Sequence, residues 1–525
     1  MTPPIEIPAA ATLQKVMPEI WLTITMCAVL IVPFIRRTSK SLPTWTTMIG
    51  LMLALFAAVW SLMDLHSDAT SSIGPILGGT LTIDSFSQFF KILLIGFTML
   101  IVVQWMIIGE QRTHAYDLPD FLCLMLGGAL GMSLMSSAST LVMIFIATET
   151  ASLPSYSLAG FRKRLNIGSE GSLKYVLFGS AASAVMLYGM SLIYAKTGSL
   201  AISDIAAHAG AQGISPMLAV GLMAMFAGFA FKLSAVPLHF WCPDVFQGAP
   251  TEVTTFLSVA SKGAAVMMLF RVLASFGAAD TTTHQFTGLA AGVGILGGVT
   301  ATWGNLVALH QTNIKRLLAY SSIAHAGYMI MGCSVVVLAG PGTPTFNAAG
   351  ALLFYILVYT FMNLGAFTVA GLIANATGSE DIRDYADLKR RSPALALLMT
   401  VFLLSLFGFP GLGGFMAKIL LAIAMTKIGF GGYVLIAVLL LNTLFSLWYY
   451  MRPVYFMFLQ PDSEDRPAVA PHGIALAVLA LCAAMLIWTG IFADLATTLT
   501  REQGSISSLP TQPAVVSTTA TASLP

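Results

Sequence analysis

Apolar runs of about 20 residues recur from one end of the chain to the other, the length a helix needs to cross a bilayer. Fourteen are readable, near 18–35, 45–63, 84–109, 119–136, 139–160, 172–196, 216–240, 251–276, 286–309, 315–338, 347–375, 393–425, 431–458 and 470–497. None shows the period-two alternation of a transmembrane barrel strand. The pattern therefore predicts an all-α membrane protein of about 14 transmembrane helices. Two runs are interrupted. The seventh contains "LSAVPLHFW" (Leu233 to Trp241), and the twelfth contains "LFGFPGLGGFMAKIL" (Leu406 to Leu420). Proline removes a helix hydrogen bond and glycine loosens the helix. Backbone groups freed at membrane depth are tolerated only where protein or a water-filled cavity satisfies them. Paired interruptions are the mark of inverted repeats, here two five-helix units, spans 4–8 and 9–13. The expected division is 1–118 (helices 1–3), 119–276 (first repeat), 277–458 (second repeat), 459–498 (helix 14) and 499–525, a Ser/Thr/Pro/Ala-rich tail expected to be disordered.

Composition agrees with this reading. Hydrophobic residues make up 57% of the 525 residues and charged ones 9%, too few charges to coat a water-soluble surface. A net charge of +2 offers no footprint for nucleic acid. The five cysteines (Cys27, Cys123, Cys242, Cys333, Cys482) form no CxxC pair, which argues against a zinc site, a cluster or a disulfide framework. No glycine-rich phosphate loop stands between a strand and a helix. The N-terminal stretch lacks a basic n-region, so the first apolar segment is expected to be retained. With the N-terminus outside, one face collects Arg36, Arg37, Lys40, Arg112, Arg162, Lys163, Arg164, Lys315, Arg316, Arg383, Lys389, Arg390, Arg391, Arg452 and Arg466. The other side and the tails hold Lys15, Lys196, Arg271, Lys427 and Arg501. This bias predicts fourteen spans with both termini outside.

Ionisable residues inside the spans carry the candidate chemistry. Glu149 lies near the middle of span 5, Lys232 just before the break in span 7, Lys262 near the middle of span 8, His325 near the middle of span 10, and Lys418 just after the break in span 12. A lysine or aspartate at a helix centre costs about 2.5–3.5 kcal/mol on the insertion scale. Such residues face protein or water and need partners. Glu149 is the natural counter-ion for Lys232. Burial favours the neutral form of an amine and a nearby carboxylate favours the charged form, so moving the carboxylate would drive a proton on to Lys262. His239, His325, Ser321, Ser322 and water would serve as intermediates and Lys418 as the last station. Blander readings stand beside this one. Lys91 and Lys174, nearer span ends, are open to a snorkelling reading. Glu149 could be a helix clasp, and buried histidines often only bond within a core. The many Met and Phe residues read as packing or lipid-facing.

The stretches "EGSLKYVLFGSAASAVMLYG", "FKLSAVPLHFWCPDVFQGAPTEVTTFLSVASKGA", "NIKRLLAYSSIAHAGY" and "LFGFPGLGGFMAKI" resemble the antiporter-like subunits of the bacterial proton-pumping NADH:quinone oxidoreductase, respiratory complex I, over spans 2–14. That family includes L-, M- and N-type subunits and the Mrp-type cation/proton antiporters. "PDVFQGAPTEVTTFLS" is similar to the N type. M-type members usually have glutamate where Lys418 stands, and L-type members continue into a long lateral helix. The motifs do not separate the chain from the photosynthetic relative of the N type. The resemblance implies a proton relay of Glu149, Lys232, Lys262 and Lys418, with polar support at Glu170, Lys174, His239 and His325. It implies a proton-translocating subunit of the oxidoreductase at the bacterial inner membrane, with both termini periplasmic and M-type and K-type membrane subunits as neighbours. It implies no cofactor or metal in this chain, with NADH, FMN, iron–sulfur clusters and quinone handled by other subunits. Two alternatives stay open: a free-standing Mrp-type antiporter, and a structural spacer whose lysines only hold helices together.

Overall fold

A computed structural model describes residues 10–35, 39–67, 74–109, 117–162, 166–280, 286–338, 346–462 and 466–502. Arg36, Arg37, Arg112, Lys163 and Arg164, used above for orientation, lie outside the described residues, as does the tail from 503 on. Among the described residues, thirteen helices are long and apolar enough to cross a membrane. They are spans 1 (Met17–Phe34), 2 (Ser41–Leu65), 3 (Ser85–Gly109), 4 (Leu118–Ser137), 5 (Leu141–Ala159), 6 (Asn166–Thr197), 7 (Pro216–Leu233), 8 (Thr251–Ala279), 9 (Thr287–Ala308), 10 (Ile314–Val337), 11 (Ala348–Thr377), 13 (Phe430–Phe458) and 14 (Gly473–Ile491). Span 12 is the fourteenth, divided into Pro393–Phe407 and Gly413–Met425. Span 7 likewise resumes as a short helix, Trp241–Gly248.

The two breaks share one backbone device. After Leu233, Ser234 turns left-handed (φ 57°). Its N–H bonds Phe231 O at 3.0 Å, and the N–H of Ala235 bonds Ala230 O at 2.7 Å. After Phe407, Gly408 turns left-handed (φ 93°). Its N–H bonds Ser405 O at 3.0 Å, and Phe409 N–H bonds Leu404 O at 2.9 Å. This crossed pair of bonds is the Schellman ending, which satisfies carbonyls that a stopped helix leaves open. Side chains add to this: Trp241 Nε1 also donates to Phe231 O at 3.0 Å, and Lys418 Nζ covers a further carbonyl, Phe407 O, at 2.7 Å.

The repeat extends well beyond the breaks. Segments "TGSLAISD" (197–204) and "TGSEDIRD" (377–384) follow spans 6 and 11. Each has a left-handed glycine, Gly198 (φ 70°) and Gly378 (φ 73°). Each forms an isolated antiparallel bridge to the residues preceding an earlier span, Ala201 with Thr140 and Asp381 with Asn313. Span 4 meets span 5 at Gly131, where a Cβ would come within 2.3 Å of Ala151 N; span 9 meets span 10 at Gly304, where it would come within 2.7 Å of Ala324 N. The same step along the chain relates both members of each contact. Each unit has five crossings, an odd number, so the second copy enters the membrane from the face opposite to the first. Gly131→Ala is expected to force this helix pair apart at a cost of about 1–3 kcal/mol, read as a lower melting temperature in detergent.

Spans 8, 10 and 11 are almost wholly buried, whereas only a minority of residues in spans 1, 2, 13 and 14 are buried. The central spans carry Lys262, His325 and a set of tyrosines. Several details differ from the sequence reading. A short hairpin, β1 (Gly74–Ile76) and β2 (Leu81–Ile83), precedes span 3. Past span 14 a further helix, Ala493–Glu502, packs on the start of span 11 at Gly350, so order continues beyond residue 499. Arg271 is not on a loop. It is buried in span 8 and pairs with Asp84 at the start of span 3. Lys91 does not snorkel. It is 1% exposed and pairs at 2.8 Å with Glu19 of span 1, which also accepts from Ser133 at 2.6 Å. Each basic group has its carboxylate on another helix, a proximity hydropathy cannot register.

Candidate functional site

A line of buried polar groups runs through the middle of the second repeat and into span 8. A π-turn, Leu257–Ser261, directly precedes Lys262; such turns often mark functional positions because they re-aim the residues that follow. Lys262 Nζ donates to Ser322 Oγ at 2.5 Å, approaches Cys242 Sγ at 3.7 Å and sits 5.5 Å over the Phe246 ring. No carboxylate pairs with it among the described residues. The next serine, Ser321, shares a 2.5 Å hydrogen bond with Tyr450 OH. Tyr450 OH lies 3.3 Å from His325 Nε2, and His325 Nδ1 is 2.5 Å from Tyr355 OH. Both histidine nitrogens therefore meet hydroxyls, which can donate or accept. Lys418 is 5% exposed and sits 5.2 Å over the Tyr328 ring. Tyr328 OH accepts from Asn305, whose amide oxygen accepts from Tyr449 OH at 3.0 Å.

The first repeat is organised differently. Lys232 is 1% exposed and donates to Ser152 Oγ at 2.9 Å. Glu149 accepts from Ser183 Oγ of span 6 at 2.5 Å. The two make no ion pair with each other, contrary to the direct counter-ion expected from sequence. Glu149 and Ser152 lie three positions apart on span 5. The serine is turned to span 7 and the glutamate to span 6, so the hydroxyl stands where the carboxylate was expected. In the register set by the two glycine contacts, Glu149 takes the place of Ser322 and Ser152 that of His325. The two serines that hold lysines, Ser152 for Lys232 and Ser322 for Lys262, are therefore not equivalent positions but lie about one turn apart in that register.

The supporting residues separate. His239 accepts at Nε2 from Trp303 Nε1 at 2.8 Å, which ties the span 7 break to span 9. Glu170 and Lys174 lie outside the buried line. Lys174, 38% exposed, bridges Glu170 and Asp244 at 2.7 Å each, and Asp244 also accepts from Arg316 at 2.7 Å. Nearby, Lys315 pairs with Glu380 at 3.1 Å and donates to the carbonyls of Gln247 and Ala249. This charged cluster joins the two repeats at the face opposite the N-terminus. Sequence reasoning passed over Asp244, Tyr328, Tyr355, Tyr359 and Tyr450. The available signal was tyrosine at mid-span, away from the interfacial belts where it is common.

Two interrupted five-helix repeats with buried amines and hydroxyls on their axes define an antiporter-like helical membrane protein. The family model described as NADH:quinone oxidoreductase/Mrp antiporter, transmembrane, matches residues 138–446, and the chain belongs to that family. It is 39% identical over 475 residues to NADH-quinone oxidoreductase subunit N of Anaeromyxobacter sp., covering 86% of this chain and 88% of that one. It is 35% identical over 501 residues to F(420)H(2) dehydrogenase subunit N of Methanosarcina mazei, covering 92% and 98%. A chain of respiratory complex I from Thermus thermophilus superposes with a TM-score of 0.73 at 30% identity, over 92% of this chain and all of that one.

Proposed function

We propose that this chain is the N-type proton-translocating membrane subunit of a NADH:quinone oxidoreductase, moving protons along Glu149, Lys232, Lys262 and Lys418. The carrying observation is the buried line Lys262–Ser322, Ser321–Tyr450–His325–Tyr355, with Lys418 beyond it. A lysine bonded to a hydroxyl rather than a carboxylate can release its proton without breaking an ion pair. Glu149 lies close enough to Lys232 to act on it electrostatically, although Ser152 takes the hydrogen bond. A shift of Glu149 toward or away from Lys232 would change how firmly that amine holds its proton. In this reading the proton passes to Lys262, through the hydroxyls and His325, to Lys418. Supporting roles fall to His239 at the break and to Lys174 and Glu170 at the charged face. NADH, FMN, iron–sulfur clusters and quinone would be handled by partner subunits, with M-type and K-type chains alongside. The membrane would be the bacterial inner membrane, with both termini on the periplasmic side.

The rival reading is an Mrp-type exchanger, whose family shares the matched model. Proteoliposomes separate the two. The assembled complex given NADH and quinone is expected to acidify the lumen, with the signal collapsed by a protonophore and indifferent to a sodium ionophore. The isolated chain under a sodium or potassium gradient is expected to move no protons. Gradient-driven exchange by the isolated chain would establish the rival.

A further inference from the structure

The groups that meet the Lys262 amine are not alike. Ser322 Oγ accepts from Nζ at 2.5 Å and gives its own proton to Ala319 O at 2.8 Å. Tyr359, the hydroxyl nearby, meets Ser322 and makes no hydrogen bond with the amine among the described residues. The Phe246 ring lies 5.5 Å from Nζ. Cys242 Sγ stands 3.7 Å from the same nitrogen, is fully buried, and makes no other hydrogen bond among the described residues. A thiol is a weak donor as well as a weak acceptor. Of these neighbours, only Cys242 has a proton not already committed to another group.

The two states of a proton-carrying lysine make opposite demands. The ammonium needs acceptors, and it has the serine oxygen, the sulfur and the negative face of the Phe246 ring. The neutral amine carries a lone pair, which needs a donor. Ser322 has given its proton to a carbonyl, and the face of a ring has none to give. A buried acceptor left unmet bears the full penalty of desolvation, so an amine without a donor holds its proton more firmly. Rotation about the Cys242 Cβ–Sγ bond supplies the donor with no heavy atom moving. The thiol is also held in place. It sits on the short helix Trp241–Gly248, one turn before Phe246 and on the same face. Trp241 stacks on Tyr175 of span 6 with centroids 4.2 Å apart. Asp244 is gripped by Lys174 and Arg316, and Lys315 caps the far end through the carbonyls of Gln247 and Ala249.

We propose that Cys242 is a positioning residue for Lys262: its S–H turns to the amine once the lysine has given up its proton, and its sulfur accepts when the lysine is charged. The inference rests on the reading of Lys262 as a proton carrier. The thiol keeps its own proton throughout. The proton that leaves the Lys262 ammonium goes to the relay, and the one that returns comes from it. Only the direction of the hydrogen bond between nitrogen and sulfur reverses, and no group is oxidised or reduced.

The test uses the assembled complex in proteoliposomes, with Lys262→Ala as reference. Cys242→Val fills the space but has no proton to offer, whereas Cys242→Ser offers one and fills less. Cys242→Val is expected to slow NADH-driven translocation about tenfold, the ratio for ~1.4 kcal/mol in a barrier, and Cys242→Ser to keep most of the rate. A packing role predicts the reverse order. Normal pumping by Cys242→Val beside an inactive Lys262→Ala would overturn the role of the thiol and leave the relay standing. Normal pumping by both would overturn the relay reading itself. Equal slowing by Val and Ser would make size the requirement and overturn the proposal as well. If Cys242→Val does not assemble, infrared difference spectra of the complex at rest and in turnover decide. An S–H stretch that shifts to lower frequency in turnover and is missing from Cys242→Ser supports the proposal, and a Cys242 band that does not move overturns it.

Discussion

Lys262→Ala is expected to leave the complex assembled and to cut proton transfer through this subunit by about 10²–10⁴-fold, the range for losing a positioned proton donor or acceptor. The separation of assembly from activity follows from the partners of Lys262. They are a serine hydroxyl and a thiol, with no carboxylate left stranded when the amine is removed. Truncation lifts the burden of a buried amine and leaves Ser322 still bonded to Ala319 O at 2.8 Å. Lys262→Arg sharpens the expectation. A guanidinium keeps the positive charge but does not release its proton in proteins, so a structural charge would be preserved and a relay would still stop. Proton uptake by proteoliposomes, set against the yield of intact complex, reads both variants. Pumping at the unmodified rate by Lys262→Arg would remove Lys262 from the relay.

Arg271→Met is expected to have the largest effect on stability, about 3–5 kcal/mol, the usual cost of stripping one partner from a buried ion pair. Asp84 is fully buried and Arg271 is 4% exposed. The guanidinium grips the carboxylate by two parallel bonds, Nη1 to Oδ2 and Nη2 to Oδ1, both 2.9 Å, and donates Nε to Ser136 O at 3.0 Å. Asp84 also caps span 3 by accepting from Ser87 N at 2.8 Å. One pair thus joins the start of span 3, the end of span 4 and span 8. The double replacement Asp84→Asn/Arg271→Met is expected to be much milder, because no unpaired charge remains. Melting of the purified complex in detergent measures both. A single variant as stable as the unmodified protein would show that the pair contributes nothing to the fold.

The breaks, the repeat order and the lysine positions were legible because each depends on residues close together in the chain. "LSAVPLHFW" and "LFGFPGLGGFMAKIL" interrupt a helix wherever they fall, and Lys262 and Lys418 stand out against apolar neighbours. That Ser152, and not Glu149, meets Lys232 was not legible. Three positions on span 5 decide whether Glu149 or Ser152 meets the lysine, and a helix turns by most of a revolution over that distance. The place of Lys91 was left open for a related reason. Its place near a span end suggested the interface, while Glu19, far back in the sequence, holds it inside. The tyrosine hydroxyls turned toward His325 and Ser321 were not legible either, because hydropathy does not register which way a side chain points.

The sequence alone determined that the chain crosses a membrane repeatedly, where two crossings break, and which ionisable groups enter the apolar layer. Those are sums of each residue's own transfer cost over about 20 neighbours. Only the tertiary structure decided the partners: Ser322 and Cys242 for Lys262, Ser152 for Lys232, Asp84 for Arg271. A hydrogen bond depends on direction and on a group carried by another helix, and neither the rotation of a helix nor its neighbour is written into its own hydropathy.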